Sequence, residues 1–368
     1  MKKLWILVVV LLTLVGLAVI VPCLKAGEAK VSGRYQVLAP IRNANLTIFP
    51  VVAELSRDTS QFLTLDEGLR SGDVVVTEAG SAGPLVRPRR GHPVWEEHSR
   101  GGGAQVNQLV LINNSKRPLL LLAGEIVTGG KQDRIIAKDR LVPAESDPVD
   151  LSVFCVEPGR WVGASGKFGA PMAMVQPSVR AKAMADKDQQ KVWNQVAQSR
   201  TAMAETVTVE AGAAAAAPIQ ENSSYARAVD NKEVRKQLDS VAAPVEQQYQ
   251  SVIRQLRDRH AVGIVVAVNG QLIWADVFAS SSLLEKYWPK LVRSYAAESF
   301  SQQVKSAAVD VRTAQEFLDR LDGRRQIVEN EPGLYRHSET TGDGYKVFAL
   351  TSLLPSTGFD LHVAKMAE

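Results

Sequence analysis

Between Gly124 and Trp161 the chain carries a run of side chains suited to polar chemistry: Glu125, Lys131, Gln132, Arg134, Glu157 and Arg160. Lys131 and Arg134 can hold an anion, the guanidinium by two parallel hydrogen bonds to a carboxylate or phosphate. Glu125 and Glu157 can serve as base and acid once burial raises one of them. Gly124, Gly129, Gly130 and Gly159 bracket these charges, more loop-forming residues than a plain strand connection uses. The first expectation is therefore a pocket for an anionic small ligand built from these six residues, with Glu125 and Glu157 as the catalytic candidates. A second reading uses the same residues differently. Glu125, Arg134, Glu157 and Arg160 can pair with one another and simply fix the strand ends. In a regular strand Gln132 and Arg134 face away from Lys131 and Asp133, so a shared pocket requires a bulge beside Gly129-Gly130.

The elements that position these residues read as strands. Leu119 to Leu122 is an apolar run short enough to be buried on both faces. Val149 to Val156 alternates, with Val149, Leu151, Val153 and Cys155 on one side and Asp150 and Ser152 on the other. Upstream, Asn45 to Glu54 is a strand that Pro50 assigns to an edge or a bend. Thr64 with Glu67 forms a capping box for a short helix ended by Gly72, and Val74 to Glu78 is the next strand. Ala79 to Ala104, rich in Gly, Pro and Arg, reads as an exposed loop. In it His92 and His98 flank Glu96 and Glu97, a weak metal-ligand spacing outweighed by solvation. Residues 33–166 are thus expected to form a β-rich, antiparallel, sandwich-like domain.

Residues 167–257 read as helical, with an alanine-rich linker at 205–224 and a break at Pro244. Asn269-Gly270 between two apolar runs is the strongest hairpin signal in the chain. Asp276 interrupts the second of those runs. A helix from Ser282 to Phe300 with a kink at Pro289, a helix from Thr313 to Gly323 and three strands complete an α+β region at 258–368, packed on the β-rich domain. The fold class is α+β.

Composition narrows the function. A formal charge of +4 with mixed signs gives no dense basic face, so no nucleic-acid partner is expected. No phosphate-cradling glycine loop and no Gly-x-Ser-x-Gly elbow occurs, and neither a cofactor nor a metal is expected. Cys155 takes an inward strand position and reads as a small core residue. Lys2 and Lys3 before the apolar run Leu4 to Val21 mark residues 1–29 as a signal peptide or a membrane anchor. The folded part is expected outside the cytoplasm, periplasmic or extracellular, touching a membrane only through that segment.

Gly124-Glu125, Gly130-Lys131-Gln132, Arg134, Leu141-Val142-Pro143, Cys155-Val156-Glu157 and Gly159-Arg160-Trp161 form an ordered set with the Val268-Asn269-Gly270 turn and Leu63 to Leu69. That set resembles the ARG and rhodanese-phosphatase-superfamily-associated protein domain family, over about Asn45 to Phe300. Asp133 stands where that family usually carries Asn. The resemblance implies association with ADP-ribosylglycohydrolases and rhodanese-type phosphatases and no particular reaction. Three functions follow as expectations: a binding or scaffold module with an anion pocket, a hydrolase of an ADP-ribose-like or phosphorylated compound, and a purely structural or interaction protein.

Overall fold

Asn269 and Gly270, both in the left-handed region at φ of 53° and 75°, close the turn between the two strands at the centre of the largest sheet. The computed structural model describes residues 34–78, 108–160, 167–300 and 308–368. Its strands are β1 (Tyr35–Val37), β2 (Ile41–Asn43), β3 (Leu46–Ala53), β4 (Leu63–Thr64), β5 (Val74–Glu78) and β6 (Gln108–Asn113). Next come β7 (Leu119–Leu121), β8 (Ile126–Gly129), β9 (Arg134–Ile136), β10 (Arg140–Val142), β11 (Val149–Cys155) and β12 (Phe168–Gly169). The last six are β13 (His260–Val268), β14 (Gln271–Phe278), β15 (Arg324–Glu331), β16 (Tyr335–Gly342), β17 (Tyr345–Ser352) and β18 (Asp360–Ala367). The helices are α1 (Leu65–Ser71), α2 (Pro177–Ala181), α3 (Gln189–Ala211), α4 (Ala213–Glu221), α5 (Tyr225–Asp230), α6 (Lys232–Gln255), α7 (Ser281–Phe300) and α8 (Val311–Asp319).

The chain is α+β, with strands first, helices in the middle and strands again at the end. Its largest sheet runs β1-β3-β13-β14-β18-β17-β16-β15, with β2 also on β3, so it takes strands from both ends of the chain. Period-2 alternation sorts the side chains of its central strands. Ile48, Val52, Ile264, Val266 and Trp274 join the core made with α6 and α7, while Phe49, Val51, Val265 and Val277 join Ala314 and Leu318 of α8. Leu284, Tyr287, Trp288, Leu291 and Tyr295 of α7 are all buried, each contributing roughly 1.5–3 kcal/mol of apolar burial.

The β-rich half supplies two smaller sheets, β12-β8-β9-β11-β6-β5 and β10-β7-β4. Strand pairs are antiparallel apart from β4 on β7. Leu119, Leu121, Val127, Ile136, Leu151 and Val153 fill the space between these sheets, whereas Leu120 and Leu122 enter the large helical core. That two-sided burial is what the unbroken leucine run required.

Four expectations change. Pro50 does not mark an edge, because β3 pairs on both sides. Its missing N–H falls opposite the interruption between β1 and β2, where Leu38 N donates to the Pro50 carbonyl at 2.8 Å. The alanine-rich stretch 205–224 is not a linker. Alanine is the best helix former, and the stretch completes α3 and forms α4, with Ala216 and Ile219 buried. Pro244 does not break α6, which runs on through it. Pro244 cannot donate to the Ser240 carbonyl, and the Asn43 amide donates there instead at 3.2 Å and to Val241 O at 2.9 Å. Finally, α8 starts at Val311 with Asp310 as its N-cap, accepting from Thr313 N at 2.7 Å.

Among the described residues no helix is long and apolar enough to cross a membrane. The apolar run Leu4 to Val21 and the His92–His98 loop lie outside the described residues.

Candidate functional site

Glu157, Arg160, Gln132 and Asp133 are brought together by one strand pairing. Cys155 of β11 sits opposite Arg134 of β9, so the turns that follow β11 and precede β9 run side by side. Val156 N donates to Asp133 O at 3.1 Å. Asp133 N in turn donates to the Glu157 carboxylate at 3.0 Å, and Gln132 Nε2 donates to Glu157 O at 3.0 Å. Arg160 closes the cluster. Its guanidinium lies 2.6 Å from Glu157 Oε2 and 3.5 Å from Asp133 Oδ1, and also donates to Gly130 O at 3.1 Å. The hydrogen bond to Glu157 raises the Arg160 pKa.

Asp133 is buried, as is Glu157. Its Oδ2 accepts from Ser224 Oγ at 2.7 Å and its Oδ1 from Gly129 N at 3.2 Å. Burial raises its pKa against those bonds. Ser224 also caps α5, so the cluster ties the β-rich half to the helical middle. Gly130, at φ of 49°, lets the chain pass so close that a Cβ would stand 2.2 Å from Phe168 Cζ. Next to it the Lys131 N–H donates to Glu78 Oε1 at 2.7 Å, and the Lys131 side chain is half-buried. Arg134 is fully buried and its Nη1 donates to Asp133 O at 3.5 Å.

Glu125 lies in a different constellation. Its Oε2 accepts from Leu122 N at 2.6 Å, and its Oε1 meets Lys290 Nζ at 2.5 Å. The same ammonium meets Asp66 Oδ2 at 2.5 Å and sits 4.6 Å from the centre of the Tyr287 ring. Burial pulls Lys290 down, but Glu125 and Asp66 together hold its pKa above the ordinary value. Burial raises Glu125, the second carboxylate on a single cation.

A third constellation lies outside the six candidate residues. Arg180 grips Asp276 by two hydrogen bonds of 2.9 and 3.0 Å, with both side chains fully buried. His362 stands between two carboxylates, with Nδ1 2.6 Å from Asp139 and Nε2 3.0 Å from Asp276. Ala123 N donates to Asp139 at 2.8 Å, Tyr295 OH donates to Asp276, and the Trp274 ring lies 4.5 Å from the Arg180 guanidinium. Burial works against a charge on His362, yet Asp139 and Asp276 raise its pKa to about 9. Both carboxylates are held below their usual range. One hint in the sequence is Asp276, a polar residue at an inward position of an apolar strand. His362, between Leu361 and Val363 of β18, repeats that signature.

Two hollows of about 100 and 120 Å³ lie elsewhere. The first is walled by Tyr249 and Trp288 between α6 and α7, the second by Tyr35, Arg57 and Phe359. Neither is lined by any of the six candidate residues. Cys155 is buried, and burial raises its thiol pKa, which suits a core residue. Among the described residues no group of three His, Cys, Asp or Glu side chains is arranged to hold a metal ion.

The fold and its polar residues define an α+β protein in which charged side chains from distant elements are matched to one another inside the layers. The chain belongs to the ARG and rhodanese-phosphatase-superfamily-associated protein domain family, whose model matches residues 34–363. That match reaches beyond the Asn45–Phe300 stretch that carries the resemblance, at both ends. Comparisons with curated proteins and with solved structures gave no match.

Proposed function

We propose that this chain is a non-catalytic binding and scaffold module, acting outside the cytoplasm and held there or exported by its N-terminal segment. The observation that carries the reading is the state of Glu125. One carboxylate oxygen is on Lys290 and the other on a backbone N–H, in a position 1% exposed. A general base needs a free oxygen within reach of a substrate proton. Glu157 is held by Arg160 and by Asp133 N through one oxygen, Oε2, so the case against hydrolysis of an ADP-ribose-like or phosphorylated compound rests on Glu125. An anionic small ligand would meet the rim formed by half-buried Lys131 and by Arg160, whose side chain is 19% exposed, and would have to exchange for the contacts they already make. An anion there would compete with Glu157 for the guanidinium, so its binding would be modest. The lysine pair at the N-terminus and the apolar Leu4–Val21 run support the exported location.

Thermal-shift measurements with nucleotides, sugar phosphates and divalent metals test this reading. A stabilising anion should lose its effect in Lys131→Ala and Arg160→Ala variants that stay folded. Turnover of a labelled phosphorylated compound, abolished in Glu125→Gln with the fold intact, would defeat the non-catalytic reading. The N-terminus of the mature protein, read by mass, tests export by cleavage.

A further inference from the structure

The two ends of the large sheet are treated differently. At one end β1 and β2 are covered, with Val37 N donating to Gln315 of α8 at 2.8 Å and Asn43 bonded to α6. At the other end β15 has β16 as its neighbour and no further strand among the described residues. Its residues are exposed, apart from half-buried Glu329. Ile327 and Val328 are 54% and 38% exposed, adjacent apolar side chains on a bare strand edge. Edges of this kind are usually blunted by charge and by bulges. Here the charge has a direction: Arg324 and Arg325 open the strand, while Glu329 and Glu331 end it.

We infer that β15 is a dimerisation edge, pairing antiparallel with β15 of a second copy of this chain about a two-fold axis between Ile327 and Val328. The pairing with β16 shows which side chains share a face. Arg324, Gln326, Glu329 and Glu331 stand opposite Thr341, Glu339, His337 and Tyr335, alternate residues of one strand, because Val328 is taken up by a bulge. Turning a second β15 about the proposed axis sets Arg324 against Glu331, Arg325 against Asn330 and Gln326 against Glu329. The faces match in every one of these pairs, and the bulge lies at the axis. Sliding the register by one residue puts Arg325 against Glu329, which lie on opposite faces, so this slip is excluded by the pleat. Arg324 and Glu331 have no ion-pair partner among the described residues of their own chain, and two-fold symmetry forms their pair twice. Glu329 is already bound to Lys138 at 2.5 Å and adds less. The inference rests on β15 alone and stands whether or not the Lys131–Arg160 rim takes an anion.

Sedimentation velocity of the full chain in a nonionic detergent, over rising protein concentration, reads the association directly. The wild-type protein should move from monomer towards dimer. Arg324→Glu and Glu331→Arg should each weaken the dimer about tenfold, since two attractive cross-strand pairs become repulsive. Carried on one chain, the two changes should restore it. Dimers formed through the N-terminal segment would ignore both substitutions. A protein monomeric at every concentration, a dimer that neither change weakens, or a double variant no better than the singles would overturn the inference.

Discussion

His362 offers the sharpest test of the interior charge pairing. Its ring bridges Asp139 and Asp276, and both nitrogens must carry protons for both bonds to be donated. The carboxylates raise its pKa from the ordinary 6.5 to about 9, which corresponds to about 3 kcal/mol of folding stability. A group whose pKa is higher in the folded state contributes fully below its unfolded value. Stability from His362 should therefore be complete below pH 6.5 and fade as pH rises through about 9. Asp139 and Asp276 are held low and do not titrate in that window. Lys365 runs the other way, since burial lowers it to about 8 and stability is regained as pH climbs past that value.

The difference between wild type and His362→Gln cancels the Lys365 contribution. Urea unfolding of both proteins across this range should give curves that converge as pH rises. Near neutrality the variant should be weaker by about 3–5 kcal/mol, the cost of leaving a buried carboxylate short of its partner. Parallel curves, with the same loss at every pH, would mean that His362 is neutral in the native protein, and the network as described would fall.

Lys290→Met should cost about 3–5 kcal/mol by stranding Glu125 and Asp66; adding Glu125→Gln should return part of it, and strictly additive losses in denaturant midpoints would contradict the coupling. Asn43→Ala should cost about 1–2 kcal/mol and speed amide exchange in α6 around Pro244, because the Ser240 and Val241 carbonyls lose their outside donor. Gly130→Ala should lower the melting temperature through roughly 1–3 kcal/mol of strain, as its Cβ would meet Phe168 and Glu78; an unchanged value would show that the turn is looser than described.

Much of the fold is legible in the sequence. The Asn269-Gly270 turn, the Thr64–Glu67 cap and the doubly buried leucine run each rest on local rules, and local rules survive folding. The α8 start differs through a local cap, Asp310; the other differences have longer-range causes. Pro244 breaks an isolated helix, but the Asn43 amide arrives from a strand some two hundred residues away to bond the freed Ser240 carbonyl. The alanine run is helical by its own propensity; what the sequence does not show is the packing against α3 that buries Ala216 and Ile219. The candidate site divided for the same reason. The pairing reading already joins Glu157 to Arg160, three residues on, whereas nothing in the stretch itself reveals that Lys290 of α7 holds Glu125.

The three constellations have one property in common, the diversity of their origins. Asp139 precedes β10, Ala123 follows β7, Asp276 and His362 lie on β14 and β18, Arg180 on α2 and Tyr295 on α7. Apolar contacts among these layers tolerate sliding, because one methyl packs against a neighbour much as another does. A carboxylate between an imidazolium and a guanidinium does not. Moving β14 by one residue would turn Asp276 to the α8 face and leave Arg180 and His362 without their shared anion, at about 3–5 kcal/mol for a stranded buried charge. Glu125 with Lys290 and Asp66 sets α7 against the β-rich half in the same way, and Asp133 with Ser224 sets α5. The polar residues that first suggest chemistry thus also fix how sheets and helices meet, and the proposed β15 pairing draws instead on exposed side chains.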